Sequence, residues 1–143
     1  MTNTLAPSTV FVTDHSITTG HLRLLESIPL SVTGTSRLCF HETHDSPLHV
    51  MLVKATTKDV FARHCHTDSD EFTTVLEGGL EITLWSDGLQ STPHHIVLGR
   101  DFTGDYGALI SKGLAHTTRA LSENTVYLEI KLGPFNPDAL VKL

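Results

Sequence analysis

A chain of 143 residues has the size of one domain and can bury a self-sufficient core. Its 10 Lys and Arg stand against 16 Asp and Glu, a formal charge of −6, which argues against nucleic acid or an anionic membrane surface as partner. No aliphatic run exceeds the four residues Val50–Val53, and residues 1–27 lack the basic start and apolar stretch of a secretory leader, so a soluble, cytoplasmic protein is expected.

Residues 1–13, polar and apolar by turns with Pro7, read as an arm or an added edge strand. From His15 to Ile28 the residues Ile17, Leu22, Leu25 and Ile28 follow a partly helical period. Ser16 or Thr18 can cap this helix and Pro29 stops it. Beyond Pro29, short stretches rich in Val, Ile, Leu, Thr and Phe alternate with turn residues. The predicted strands are Arg37–Glu42, Leu48–Ala55, Val60–His66, Glu71–Leu76, Leu80–Trp85, His94–Leu98, Ala108–Ile110, His116–Leu121 and Thr125–Leu132. Glu77-Gly78-Gly79, Ser86-Asp87-Gly88 and Ser122-Glu123-Asn124 supply turns between them. Gly133-Pro134-Phe135-Asn136-Pro137 ends the last strand. Many short strands at close spacing indicate an all-β sandwich or barrel. With two cysteines, Cys39 and Cys65, there is no disulfide framework.

Histidine is the compositional outlier: its 10 copies equal Lys and Arg combined. The informative stretch is His64-Cys65-His66-Thr67-Asp68-Ser69-Asp70-Glu71. Strand alternation points His64 and His66 to one face and Cys65 to the other, so two imidazoles can share an ion while the thiol stays inert. The same parity sends Val60 and Ala62 inward and Phe61 and Arg63 outward. A turn over Thr67–Asp70 can return Glu71 beside the imidazoles, and two imidazoles with a carboxylate suit divalent Zn, Fe, Mn or Ni. Ser111-Lys112-Gly113-Leu114-Ala115-His116 delivers another histidine at the start of an apolar strand. A lone His-x-His pair is expected by chance about 0.7 times in so histidine-rich a chain, but adding Glu71 and Gly78 at their spacings lowers this to about 0.002.

His64-x-His66-x4-Glu71-x6-Gly78 followed by Gly113-x-x-His116 resembles the two motifs of the cupin superfamily. Lys58, Ser111 and Ala120 stand where those motifs have glycine, proline and often asparagine; none of these positions is a ligand. Downstream, Arg119 to Phe135 is similar to the closing segment of the WbuC family of cupin-fold metalloproteins, small proteins often encoded in O-antigen gene clusters. Arg37 to Val53, with Phe40-His41 and Asp45-Ser46-Pro47, is similar to the same family. The resemblance implies a cupin double-stranded β-helix, a jelly-roll barrel, preceded by a short N-terminal helix. One domain then spans 1–143, with arm and helix over 1–29, barrel over 30–137 and a tail over 138–143. It implies a metal held by His64, His66, Glu71 and His116, and a homodimer.

Three imidazoles and one carboxylate neutralise one of the ion's two charges, and the remainder can polarise a substrate oxygen. The expected activity is metal-assisted isomerisation or epimerisation of a small oxygenated substrate such as a sugar or sugar acid. His41 is the candidate proton shuttle. An Fe(II)-dependent dioxygenase and a non-catalytic metal-dependent binder or sensor remain open beside it. On the last strand, Val126, Leu128 and Ile130 are expected to pack the core, while Tyr127, Glu129 and Lys131 face solvent or line a cavity mouth. Asp68 and Asp70 read as turn residues, and Trp85 as core. His15, His21, His44, His49, His94 and His95 read as surface. Arg100, Arg119 and Lys112 are candidate holders of an anionic substrate.

Overall fold

The alternating strands fold into two facing sheets. In the computed structural model, residues 7–58, 61–86, 92–103 and 105–143 are described. In chain order they form β1 (Thr9–Phe11), α1 (Thr19–Ser27), β2 (Thr35–Cys39), β3 (Leu48–Ala55), β4 (His64–His66), β5 (Glu71–Glu77), β6 (Leu80–Trp85), β7 (His94–Leu98), β8 (Gly107–Ile110), β9 (Ala115–Ala120), β10 (Thr125–Leu132) and β11 (Leu140–Lys142). One sheet runs β1-β2-β3-β10-β5-β8 and the other β11-β4-β9-β6-β7. All pairings are antiparallel except β1 on β2. This is the expected all-β sandwich with one short N-terminal helix.

The main core lies between the sheets, where Met51, Val53, Leu80, Ile82, Leu98, Ile110 and Tyr127 interdigitate. A second core lies outside the six-stranded sheet, where Leu25 of α1 and Ile28 just after it bury against Leu38, Leu52 and Val126. This second core reverses the expectation for β10. Val126 packs under the helix, not between the sheets, and Tyr127 belongs to the inner core. Glu129 and Lys131, on the same face as Tyr127, line an internal cavity. The reason is that β10 sits between β3 and β5 with a helix on its outer side, so both of its faces find cover. Farther along the outer face, Val50, Ile130, Phe72 and Leu109 stand opposite one another across β3, β10, β5 and β8.

The helix begins at Thr19, and Thr18, one of the two expected caps, is its cap. The cap uses a histidine: the Thr18 N–H donates to His21 Nδ1 at 2.9 Å. His21 Nε2–H then donates to Asp14 Oδ2 at 2.7 Å, and its ring meets Phe40 edge-on at 4.9 Å. His21 is therefore buried, not a surface residue. His21→Ala is expected to cost about 1 kcal/mol of stability in urea unfolding, the usual worth of a lost cap acceptor; a cost near zero would show that the ring only fills space.

At the N-terminal end the expected edge strand forms, while the C-terminal end differs from expectation. Residues 7–13 carry the added strand β1, while 1–6 lie outside the described residues. The expected tail instead forms a single 3₁₀ turn, Pro137–Ala139, and then β11, which pairs with β4. Val60 and the Asp87-Gly88 turn lie outside the described residues.

Candidate metal centre

β4 is only three residues long, and its two histidines owe their placement to what surrounds it. His64 stands directly opposite His116 of β9 in the antiparallel register. On its other side β11 completes the ladder, with Leu140 opposite His66 and Lys142 opposite His64. The turn before β9 is stitched to the end of β4, since the Gly113 N–H donates to the His66 carbonyl at 2.7 Å. Gly113 has φ of +80°, and a Cβ there would meet no atom within 4 Å, so the backbone angle rather than space asks for glycine. Asp70 Oδ1 accepts from the Lys112 N–H at 2.8 Å, tying the loop after β4 to the same turn.

The three imidazoles converge. His64, His66 and His116 each offer a ring nitrogen within 4.8 Å of the others, which is close enough to hold a metal ion. Their ring centroids lie 4.4 Å apart for His64–His116 and 5.2 Å for His64–His66. His64 Nδ1–H donates to the Ala62 carbonyl at 2.7 Å and His116 Nδ1–H to the Leu114 carbonyl at 2.9 Å. Each bond fixes the tautomer and leaves Nε2 with a free lone pair, the form a metal needs. Burial pushes both rings below the usual 6.5, which preserves that neutral form.

Glu71 comes from β5 of the opposite sheet and stands outside the trio, with Oε2 3.2 Å from His66 Nε2. Burial pushes its carboxyl up, but the His66 hydrogen bond and the charges of His116, His66 and Lys131 outweigh this and hold it below 4.5.

The three imidazoles line one wall of a cavity of about 500 Å³. The facing wall is the inner surface of the six-stranded sheet, where His49, Lys131 and Glu71 stand side by side across β3, β10 and β5. His41 lines the same cavity and stacks on His49, with centroids 4.0 Å apart and planes 8° from parallel. His41 Nδ1 lies 3.2 Å from the Val50 N–H and 3.3 Å from the Val50 carbonyl, which also accepts from the Phe40 N–H. His41 Nε2 makes no hydrogen bond among the described residues. Burial and then the His49 charge hold His41 below 6.5.

Several expectations need correction. His49 is buried, not on the surface. Phe61 lines the cavity instead of facing away, because residues 61–63 precede β4 and alternation starts only at His64. Asp70 serves the turn, as expected, and Cys65 is buried away from the cavity lining. None of Arg100, Lys112 and Arg119 lines the cavity; Arg119 pairs with Glu81 at 3.1 Å. The cations that do line it are Arg37, Lys131 and Lys142. Trp85 is half-buried beneath the Arg63 guanidinium, whose carbon lies 4.8 Å from the ring centroid. Cys39, on the cavity wall, has its thiol pushed up to about 11, chiefly by burial, and is no nucleophile near neutral pH.

Glu129 takes the second of the two places expected for it, on the cavity lining rather than in solvent. Burial, and then the charge of Glu71, push its carboxyl from 4.5 up to about 7. The folded chain therefore keeps a proton there that the unfolded chain releases above pH 4.5. Stability from this group is full below 4.5 and is lost as pH rises through 7. Glu129→Gln never ionises. In metal-free protein it is expected to raise the unfolding free energy at pH 8 by at most about 3 kcal/mol, and to leave it unchanged at pH 4. Urea titrations at the two pH values check this, and equal effects at both would contradict it.

No protein-family model matches the sequence, and no curated protein matches it. Solved structures do. KdgF from a Halomonas species has a TM-score of 0.52 and 20% identity, covering 73% of this chain and 84% of that one. A protein of Shewanella oneidensis has a TM-score of 0.64 and 14% identity, covering 86% and 82%. The capsular polysaccharide assembling protein CapF from Staphylococcus aureus has a TM-score of 0.63 and 17% identity over 80% of this chain but 31% of its own. Such neighbours are cupin-fold proteins, and this chain has the cupin β-sandwich fold.

Proposed function

We propose that His64, His66, His116 and Glu71 hold one divalent ion, and that the protein uses it on a small oxygenated substrate in an isomerase- or epimerase-type reaction. The observation that carries this reading is the pair of Nδ1–H bonds to the Ala62 and Leu114 carbonyls, which leaves two Nε2 lone pairs beside the third imidazole. The donor set suits Zn, Fe, Mn or Ni. When bound, such an ion supplies positive charge that polarises a carbonyl or hydroxyl oxygen of the substrate. The chain's own residues do the rest. His41 lines the cavity and can pass a proton to or from a substrate carbon. Glu129 can hold one on the neighbouring wall. Fold neighbours extend the reading: CapF assembles capsular polysaccharide by its name, which favours a sugar or sugar acid. The resemblance to the WbuC family points the same way, and that to small cupins adds a homodimer, which sedimentation would read.

Elemental analysis of the purified protein, with turnover assays on aldoses, ketoses and sugar acids, tests the proposal. About one ion per chain and metal-dependent interconversion are expected. Absence of any divalent ion after reconstitution overturns the metal centre. Oxygen consumption by the Fe(II) form selects a dioxygenase instead, and saturable binding without turnover selects a binder.

A further inference from the structure

The cavity holds cations that the metal-centre reading does not use. Arg37, Lys131 and Lys142 line it together with Asp68, Glu71 and Glu129, yet among the described residues the ion pairs are His21–Asp14, His66–Glu71 and Arg119–Glu81. The charges of Lys131 and Arg37 reach Glu129, but no direct ion pair takes up their N–H donors, which leaves those donors for an incoming group.

Arg37 is the best placed of the three. It lies on β2 opposite Val53, an inner-core residue, so its side chain shares the inner face with Cys39. Its guanidinium makes one long bond, from Nη1 to Thr35 Oγ1 at 3.4 Å, and its central carbon lies 6.0 Å from the Phe61 ring centroid. Most of its five N–H donors are therefore unspent, on a head steadied by an aromatic ring. Lys131 stands nearer the imidazole wall, opposite Glu71 on one side and His49 on the other, with Nζ 5.8 Å from the Phe135 ring centroid.

The ligand group follows from this chemistry. A guanidinium fork matches two coplanar oxygens, the geometry of a carboxylate. Phosphate sites typically recruit backbone N–H groups at helix N-termini or in nests. The cavity walls here are strands, whose N–H groups are engaged in the ladders. A volume of about 500 Å³ accommodates a small molecule.

We propose that Arg37, assisted by Lys131, binds the carboxylate of the substrate, so that the ligand class is a small hydroxy or keto acid, such as a sugar acid, rather than a neutral sugar. The proposal deepens the metal-centre reading and rests on it for the ligand's second oxygen, which faces the imidazole wall. A neutral twin of the acid offers the imidazole wall the same oxygens but leaves Arg37 unmatched.

The test is titration calorimetry of the full chain, metal-free and metal-loaded, with ion content measured in each. The probes are glucuronate against glucose, lactate against lactamide, and inorganic phosphate. At least one acid is expected to bind about tenfold or more tighter than its neutral twin. Arg37→Gln is expected to erase that preference with ion content unchanged, while Arg37→Lys keeps part of it. Equal binding of acid and twin, no binding of either acid, an undiminished preference in Arg37→Gln, or phosphate binding tighter than both acids overturns the proposal. The two readings fail separately. An Arg37-dependent preference in a protein that takes up no ion supports the subsite and removes the metal centre. A loaded protein indifferent to the carboxylate does the reverse.

Discussion

His116→Ala is expected to leave the protein without its divalent ion. His116 is the most enclosed of the three imidazoles, 1% exposed, and it stands opposite His64 where β4 meets β9. Its Nδ1 is already committed to the Leu114 carbonyl, so Nε2 is the atom that would face an ion in the proposed centre. Loss of a residue that merely orients a ligand costs about 10- to 100-fold in affinity, and loss of the ligand itself should exceed about 100-fold. Elemental analysis after dialysis against the metal, with the same treatment of His66→Ala, checks the prediction. Full ion content in both variants would remove the site from this cavity. A companion effect is expected in melting curves: the wild type should gain stability from added metal by mass action, and His116→Ala should gain none.

Gly78→Ala is expected to destabilise the fold by about 3 kcal/mol without touching any ligand. Gly78 ends β5 and turns the chain into β6 with φ of +75°, where a Cβ is strained. Space is lacking as well. A Cβ at Gly78 would lie 2.6 Å from Ser122 Oγ, 2.7 Å from Thr125 Oγ1 and 2.9 Å from Thr125 Cα. Thr125 cannot yield easily, since its hydroxyl bonds the Gly79 carbonyl and its backbone begins β10. Urea unfolding measures the effect, and a cost under about 1 kcal/mol would mean that the turn can reshape.

The motif glycine and the motif histidines were readable for the same reason: each depends on local geometry alone. Two imidazoles at i and i+2 on a strand share a face whatever the rest of the chain does, and a positive-φ turn needs glycine wherever it occurs. Glu71 was readable as a neighbour of His66, though its distance from the other two rings depends on how far apart the sheets stand. Residues whose roles depend on register were hidden. Arg37 and His49 meet the cavity only because β2, β3 and β10 pair with particular partners, and nothing in their own segments announces that alignment. The inner face of β10 was misjudged because α1 gives the aliphatic residues Val126 and Leu128 a second place to hide. β11 escaped notice because three residues are too few to show alternation; it forms because β4 has an open edge.

The imidazoles belong to one sheet and Glu71 to the other. An ion held by all four side chains would act as a clasp across the mouth of the sandwich, fastening two layers that elsewhere meet through apolar contact. Hydrogen exchange should then slow in β4 and β5 together when the metal is added, and β7, remote from the clasp, should exchange as before. Loading the centre would thus be sensed as stiffness along two strands that share no backbone hydrogen bond.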